Sequence, residues 1–276
     1  MNDSECVQFL QWALPRLSMR WPGFRCVRAQ VCKRLQRRID ELQLDGLSAY
    51  RDYLGEHRDE WTVLDGLCQV TISRFCRDKS VFAYLEEQVF PYQINKIHQA
   101  RGTQLRIWCA GCGAGEESYT LGLLWALRYQ KKYPSFTLSI VATDINPDML
   151  KRAKQACYPY SAIKNLPTAW RQTAFRQDKE LYCLQAEYQA NVEFLCQDLR
   201  SDLPPDSETK PFHLVCCRNL AFTYFDDPLQ RKVANRLHNC MTEEGILMIG
   251  VHEELPAGVE GFKTLSKRLG IYQRDP

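Results

Sequence analysis

The chain has 276 residues, a formal net charge of +3, and 45% hydrophobic and 25% charged residues. This is ordinary globular composition with room for a large core, which excludes a disordered or low-complexity chain. So small a charge gives no argument for a nucleic-acid partner, and no apolar run reaches the roughly 18 to 20 residues that span a bilayer, so no membrane insertion is expected.

The opening MNDSECVQFLQW has neither a basic start nor the apolar stretch of a secretory leader, so a cytoplasmic protein is expected. The thirteen cysteines are odd in number and scattered, several within apolar segments such as FHLVCC. That distribution predicts buried, reduced thiols rather than a disulfide framework.

Residues 1–76 read as a helical N-terminal domain. Val31, Leu35, Ile39 and Leu42 recur at helical spacing, with Arg34, Arg37 and Arg38 on the other side. Shorter helices follow at SAYRDYL and EWTVLDGL, punctuated by Gly46 and Gly55. Another spans Asp78 to about Gln99 and is interrupted by Pro91.

Residues 77–276 read as an α/β domain. LRIWCA is a strand running into a glycine loop, ESYTLGLLWALRYQKK a helix, and FTLSIVATDI a second strand. NPDMLKRAKQA is a helix with Asn146 as N-cap and Pro147 at its first position. NVEFLCQDL, FHLVCCRNL, DDPLQRKVANRLHNCM and GILMIGVHE continue the alternation, which predicts a Rossmann-like, doubly wound parallel sheet. Residues 158–190 break the rhythm and are expected to form a small insertion subdomain.

In the loop Gly111-x-Gly113-x-Gly115, glycines let the backbone turn tightly and approach a ligand. Dinucleotide sites leave the following helix N-terminus bare for a pyrophosphate, but here Glu116 and Glu117 stand there. Paired carboxylates repel phosphate and favour a cationic ligand such as S-adenosylmethionine. Asp144 at the end of the second strand is placed for ribose hydroxyls, and Asp198 is expected to end the third strand in the same way. The alternative, a plain glycine turn with solvated helix-start glutamates, leaves those two acids unexplained.

Cys109 and Cys112 form a Cys-x-x-Cys, but a structural zinc needs four ligands and no second such pair or paired-histidine motif exists. Redox motifs of this spacing open a helix, whereas Cys109 lies in the strand, so no metal or redox role is expected.

The run RIWCAGCGAGEESYTLGLL resembles the signature of the CheR family, the chemoreceptor glutamate methyltransferases. KRLQRRIDELQLDGLSAYRDYL, TISRFCRD, VATDINPDMLKRAKQACY, CRNLAFTYFDDPLQRKV and GILMIGVHEEL resemble further family segments in the same order, from about Val27 to Gln273. The resemblance implies a class I methyltransferase that uses S-adenosylmethionine, with a receptor-like helical protein as acceptor in a chemotaxis pathway. By position it implies that Thr71, Ser73 and Arg77 form a lid over the cofactor, that Gly111, Gly113, Glu117 and Asp144 contact it, that Asp198 and Leu199 flank the adenine, and that Cys217 and Arg218 lie in the turn after the fourth strand. It further implies an acceptor-facing role for Arg34, Arg37 and Arg38, and an aromatic beside the methyl at Tyr224, or at Thr223 if the longer LAFT loop is not absorbed.

A carboxylate acceptor is already ionised, so catalysis needs positioning and desolvation rather than a strong base, with Tyr224, Arg77 and Arg218 as the candidate catalytic residues. The turn Arg218-Asn219-Leu220 replaces the Asn/Asp-Pro-Pro-aromatic turn common in amine methylation, which argues against DNA or glutamine amide acceptors. The changed loop leaves open a small-molecule carboxylate or thiol acceptor, and a non-catalytic cofactor-sensing module is the rival from another class.

Overall fold

The computed structural model describes residues 2–275. The chain begins with five helices: α1 (Asp3–Ala13), α2 (Trp21–Phe24), α3 (Arg28–Glu41), α4 (Leu47–Glu56) and α5 (Glu60–Cys68). The side chain of Asn2 accepts from the Glu5 N–H while the Glu5 carboxylate accepts from the Asn2 N–H, a reciprocal capping box that starts α1. Val31, Leu35 and Ile39 of α3 are buried with Phe9, Leu10, Tyr50, Leu54 and Leu64, so the helical periodicity marked the core face.

The helix after this region runs as α6 (Lys79–Tyr84), a π-helical turn (Leu85–Val89) and α7 (Phe90–Gln99). Pro91 does not break it. The wide turn just before the proline gives room where the ring would otherwise meet the preceding carbonyls, and Pro91 sits at the start of α7, where a missing N–H costs least. Then come β1 (Gln104–Ala110), α8 (Glu116–Leu124), β2 (Thr137–Asp144), α9 (Pro147–Gln155), β3 (Cys157–Pro159), α10 (Tyr160–Ile163), α11 (Thr168–Ala174), β4 (Phe175–Asp178) and β5 (Leu181–Leu184). The chain continues with β6 (Val192–Cys196), β7 (Phe212–Cys216), α12 (Ala221–Tyr224), α13 (Asp227–Asn239), β8 (Met241–Met248), β9 (Phe262–Ser266) and β10 (Ile271–Arg274). Asn146 caps α9 as expected, its side chain accepting from the N–H groups of Asp148 and Met149.

Seven strands form one sheet in the order β6-β2-β1-β7-β8-β10-β9, all parallel except the reversed β10. The chain winds outward from β1 to β2 and β6, then returns to β7 on the other side of β1. That reversal is the topological switch point, where an open α/β sheet parts its loops to admit a ligand at the strand carboxyl ends. Strands β3, β5 and β4 form a separate antiparallel sheet which, with α10 and α11, accounts for the stretch that broke the alternation.

Two compact units divide the chain: one runs to Val70 and includes Leu220–Gln230, the other takes Thr71–Asn219 and Arg231 onward. The division falls at Val70 rather than Cys76, because Phe75 and Cys76 are buried in the core of the second unit. Leu220–Gln230 joins the first unit through backbone bonds: Arg20 N–H donates to Tyr224 O at 2.8 Å, and Asp226 N–H to Ser18 O at 2.9 Å.

The expectation of uniformly reduced thiols is corrected at four positions. Cys6 on α1 is disulfide-bonded to Cys32 on α3, and Cys157 on β3 to Cys183 on β5. Helix packing makes the first pair, and direct antiparallel register makes the second. No helix is long and apolar enough among the described residues to cross a membrane.

Candidate functional site

All three loop glycines have positive φ: Gly111 +75°, Gly113 +55° and Gly115 +85°. The N–H groups of Gly111 and Cys112 both donate to Thr143 O, at 2.8 and 2.9 Å, so the loop folds over the end of β2. Gly113 N–H donates to Asp144 Oδ2 at 2.8 Å. A Cβ on Gly113 would have only Ser73 Cβ nearby, at 4.0 Å, whereas one on Gly115 would press on Phe194 Cζ at 3.0 Å and Ala153 Cβ at 3.1 Å. Gly113 therefore keeps space open above the loop, while Gly115 lets α8 begin against its neighbours.

Asp144 is held rigidly, its Oδ1 accepting from Asn146 N–H at 2.9 Å and its Oδ2 from Gly113. Burial raises its pKa, and the two backbone donors partly offset that by favouring the carboxylate. Each oxygen retains a further acceptor direction, as two ribose hydroxyls require.

The paired glutamates do not act as a pair. Glu116 is buried (5% exposed), and burial raises its pKa against a bond to its own backbone and one from Ser73. Glu117 Oε2 accepts from Arg218 Nη1 at 2.7 Å. Arg218 also pairs with Asp78 and donates to Arg77 O at 3.4 Å. Burial works against the charge of Arg218, but Glu117 and Asp78 more than offset it and raise its pKa. The expectation of two carboxylates facing a cation is thus corrected: one is buried, and the other belongs to a cluster of two acids and one arginine.

Asp78 and Cys76 have φ of +60° and +48°, a left-handed backbone at two non-glycine positions beside this cluster. Such strain persists where a segment is over-determined by its surroundings. Ser73 lies across from Gly113, and Arg77 Nη1 donates to Ile72 O at 3.0 Å. Thr71 opens this segment and is half-buried.

Asp198 and Leu199 lie beyond the end of β6 rather than on it. Asp198 is ion-paired with Arg200 at 2.9 Å, and Leu199 is buried. Cys217 directly follows β7, its N–H donating to Met248 O at 2.9 Å. Two contributors escaped the sequence reading, Asp78 and Glu253. Glu253 is buried, and its Oε2 accepts from the N–H groups of Asn219 (2.8 Å) and Gly250 (2.6 Å), tying the turns after β7 and β8 together. Its presence in GVHEEL was a signal without a visible role.

The Cys-x-x-Cys is not a pair. Cys109 stands opposite Cys216 in the β1–β7 register, and burial, then Asp144, pushes the Cys112 thiol well above its ordinary range, opposite to a redox nucleophile. Donor atoms of Cys109, Glu117 and Cys216 lie within 4.8 Å of one another, but Glu117 is engaged by Arg218, and a structural zinc takes four ligands.

In the first unit, Arg34 Nη1 donates to Leu67 O at 3.1 Å and to Gln69 O. Arg38 grips the buried Glu60 with Nε and Nη2 at 2.9 and 2.7 Å. Of the three arginines only Arg37 is exposed, so they do not present one cationic face. Tyr224 ends α12, its ring edge-on to Phe24 with centroids 5.0 Å apart. LAFT closes a helical turn, the N–H groups of Thr223 and Tyr224 both donating to Leu220 O.

Residues 71–271 match the family described as CheR methyltransferase, SAM binding domain. The chain belongs to the CheR methyltransferase family. The cofactor of that domain is S-adenosylmethionine, and the residues present fit it: a cleared space over Gly113, a fixed carboxylate at Asp144, and a buried arginine anchoring Glu117. A 104.1 kDa protein of Rhodobacter capsulatus is 31% identical over 88% of this chain and 25% of its own length. A chemotaxis protein methyltransferase of Borreliella burgdorferi is 29% identical over 66% of this chain and 63% of its own. One from Listeria monocytogenes is 30% identical over 68% of this chain and 67% of its own. The chain thus spans a quarter of the length of the first of these relatives and under two thirds of the second.

Proposed function

We propose that the protein transfers the methyl group of S-adenosylmethionine to a carboxylate, the side chain of a glutamate in a receptor-like helical protein. The observation that carries this reading is the turn after β7. Arg218 there is charged and ion-paired, in a position where an amine acceptor calls for hydrogen-bond-accepting groups. Membership of a methyltransferase family, with a relative named as a chemotaxis protein methyltransferase, supports the methyl transfer itself.

When bound, S-adenosylmethionine supplies an electrophilic methyl group on a sulfonium. A glutamate side chain is ionised at neutral pH, so the protein has no proton to remove, and its task is alignment and exclusion of water. Asp144 is assigned to the ribose hydroxyls. Glu117 is held in one orientation by Arg218, which makes Arg218 a positioning residue rather than a clamp on the acceptor. Arg77 is assigned to the acceptor side, and on the first unit Arg37 is the exposed cation that would meet an acidic helical partner.

The test is methyl-labelling of an extract of the source organism with wild type and Asp144→Ala. Label in protein that mild base releases as methanol, and that the variant fails to produce, is expected. Label confined to small molecules would overturn the protein acceptor. Base-stable label in protein would overturn the ester.

A further inference from the structure

A cavity of about 510 Å³ opens in the second unit between α6, α8 with the turn that extends it, and the Lys164–Arg171 stretch of the insertion. Its floor is apolar, with Phe82, Leu124, Leu166 and Trp170 all buried. Its rim carries Lys79, Arg128, Lys164 and Arg171 against a single carboxylate, Glu86. Arg128 is paired with Glu86 at 2.9 Å and stands over the Trp170 ring at 5.8 Å. Arg171 is tied to Lys164 O and Leu166 O at 2.9 and 2.7 Å, which fixes the loop but leaves the guanidinium charge uncompensated. The ammonium groups of Lys79 and Lys164 have no ion-pair partner among the described residues.

On the side toward the glycine loop the cavity is closed by Cys76 and Thr120, joined by a 3.2 Å hydrogen bond. Thr120 Oγ1 in turn donates to Glu116 O at 2.6 Å, so the wall between the two places is bonded through.

We propose that this cavity is a second ligand site, distinct from the glycine loop, for a small amphiphilic organic anion: an apolar or aromatic body with a sulfonate, phosphate or carboxylate head. The volume lies in the range of about 300 to 1,000 Å³ that small-molecule pockets occupy, and an apolar floor with few convergent polar groups is their usual lining. The body would displace water from Phe82, Leu124 and Leu166, and the head would lie among the cations that line the cavity. An uncharged ligand would leave Lys79, Lys164 and Arg171 uncompensated. An inorganic anion would leave the floor wet. This assignment does not depend on the methyl-transfer reading.

The probe is 8-anilinonaphthalene-1-sulfonate, titrated by calorimetry and fluorescence into the full chain. One-to-one binding is expected, at least tenfold weaker in the exposed charge reversal Lys79→Glu/Lys164→Glu and in Ala83→Trp, which fills the mouth from an exposed rim position. The uncharged analogue N-phenyl-1-naphthylamine is expected to bind at least tenfold more weakly. Displacement by 1-naphthyl phosphate or 1-naphthoate supports the site and ranks the head group, while displacement by neither overturns it. Absence of saturable binding, unchanged affinity in both variants, an equally tight neutral analogue, or displacement by S-adenosylhomocysteine would each overturn the proposal.

Discussion

Arg218 Nη1 lies 2.7 Å from Glu117 Oε2, and the arginine side chain is 2% exposed. The turn after β7 is thereby fastened to the first turn of α8 across the switch point. Removing one member of a buried ion pair costs about 3 to 5 kcal/mol, because the partner charge stays behind. The carboxylates left by Arg218→Met are partly exposed, Glu117 at 18% and Asp78 at 30%, so water recovers part of the loss. We expect destabilisation of about 2 to 3 kcal/mol in urea denaturation. Arg218→Lys should recover less than half of it, since one ammonium cannot span two carboxylates as a guanidinium fork does. Wild-type stability in both variants would show that the cluster contributes nothing to the fold.

The glycine loop offers a separation of binding from folding. Gly113→Ala places a methyl where only Ser73 Cβ is near, and its φ of +55° is the left-handed region an alanine enters for about 1 kcal/mol. Cofactor affinity is expected to fall at least tenfold while stability drops by about 1 kcal/mol. Gly115→Ala meets Phe194 and Ala153 within about 3 Å at a φ of +85°. That variant should lose about 2 to 3 kcal/mol through overpacking together with backbone strain. Calorimetry with S-adenosylhomocysteine and thermal unfolding of the two variants distinguish the roles, and equal stability losses would remove the distinction.

These relationships divide what the sequence disclosed from what it hid. The sheet was legible because parallel strands buried on both faces read as short apolar runs, FTLSIVATDI and FHLVCC, and because Asn146-Pro147 is a local start signal. Gly111, Gly113 and Asp144 were legible for the same reason, since strand ends and tight turns are local properties. The partner of Arg218 was not, because Glu117 and Asp78 reach it only through the return of the chain beside β1. Glu116 looked like Glu117, yet the helix start buries one and leaves the other at the edge. The arginines of α3 had helical spacing but gave no sign that α5 supplies Glu60 for Arg38. That Leu220–Gln230 joins the N-terminal helices depends on Arg20, Ser18 and Met19, far away in the chain.

The two disulfides give a chemical test of packing. Each joins cysteines 26 residues apart, and a loop of that size is worth about 3.5 kcal/mol per bridge in the chain-entropy account. In protein purified without reductant, Cys6, Cys32, Cys157 and Cys183 should resist alkylation in denaturant until a thiol is added. The reduced protein should unfold several degrees lower. Ready alkylation of these four in unreduced protein would mean that the thiols are only neighbours.

His213 should make stability depend on acidity in a defined direction. Its Nδ1 accepts from Arg106 N–H at 3.0 Å, and burial, together with the nearby Arg106 charge, lowers its pKa to about 4. The imidazole is therefore neutral in the fold where the unfolded chain, with a pKa of about 6.5, already takes up a proton. The unfolded state binds more protons between those values, so this residue's contribution is full above about pH 6.5 and falls as pH drops toward 4. The loss is at most about 3.4 kcal/mol, and about 2 is expected because the ring is not wholly buried. His213→Asn can keep an acceptor for the Arg106 N–H without titrating. Urea denaturation at pH 7 and pH 4.5 should therefore show a smaller difference for the variant than for the wild type. Equal differences would mean that His213 is protonated in the fold or that other groups govern the acid limb.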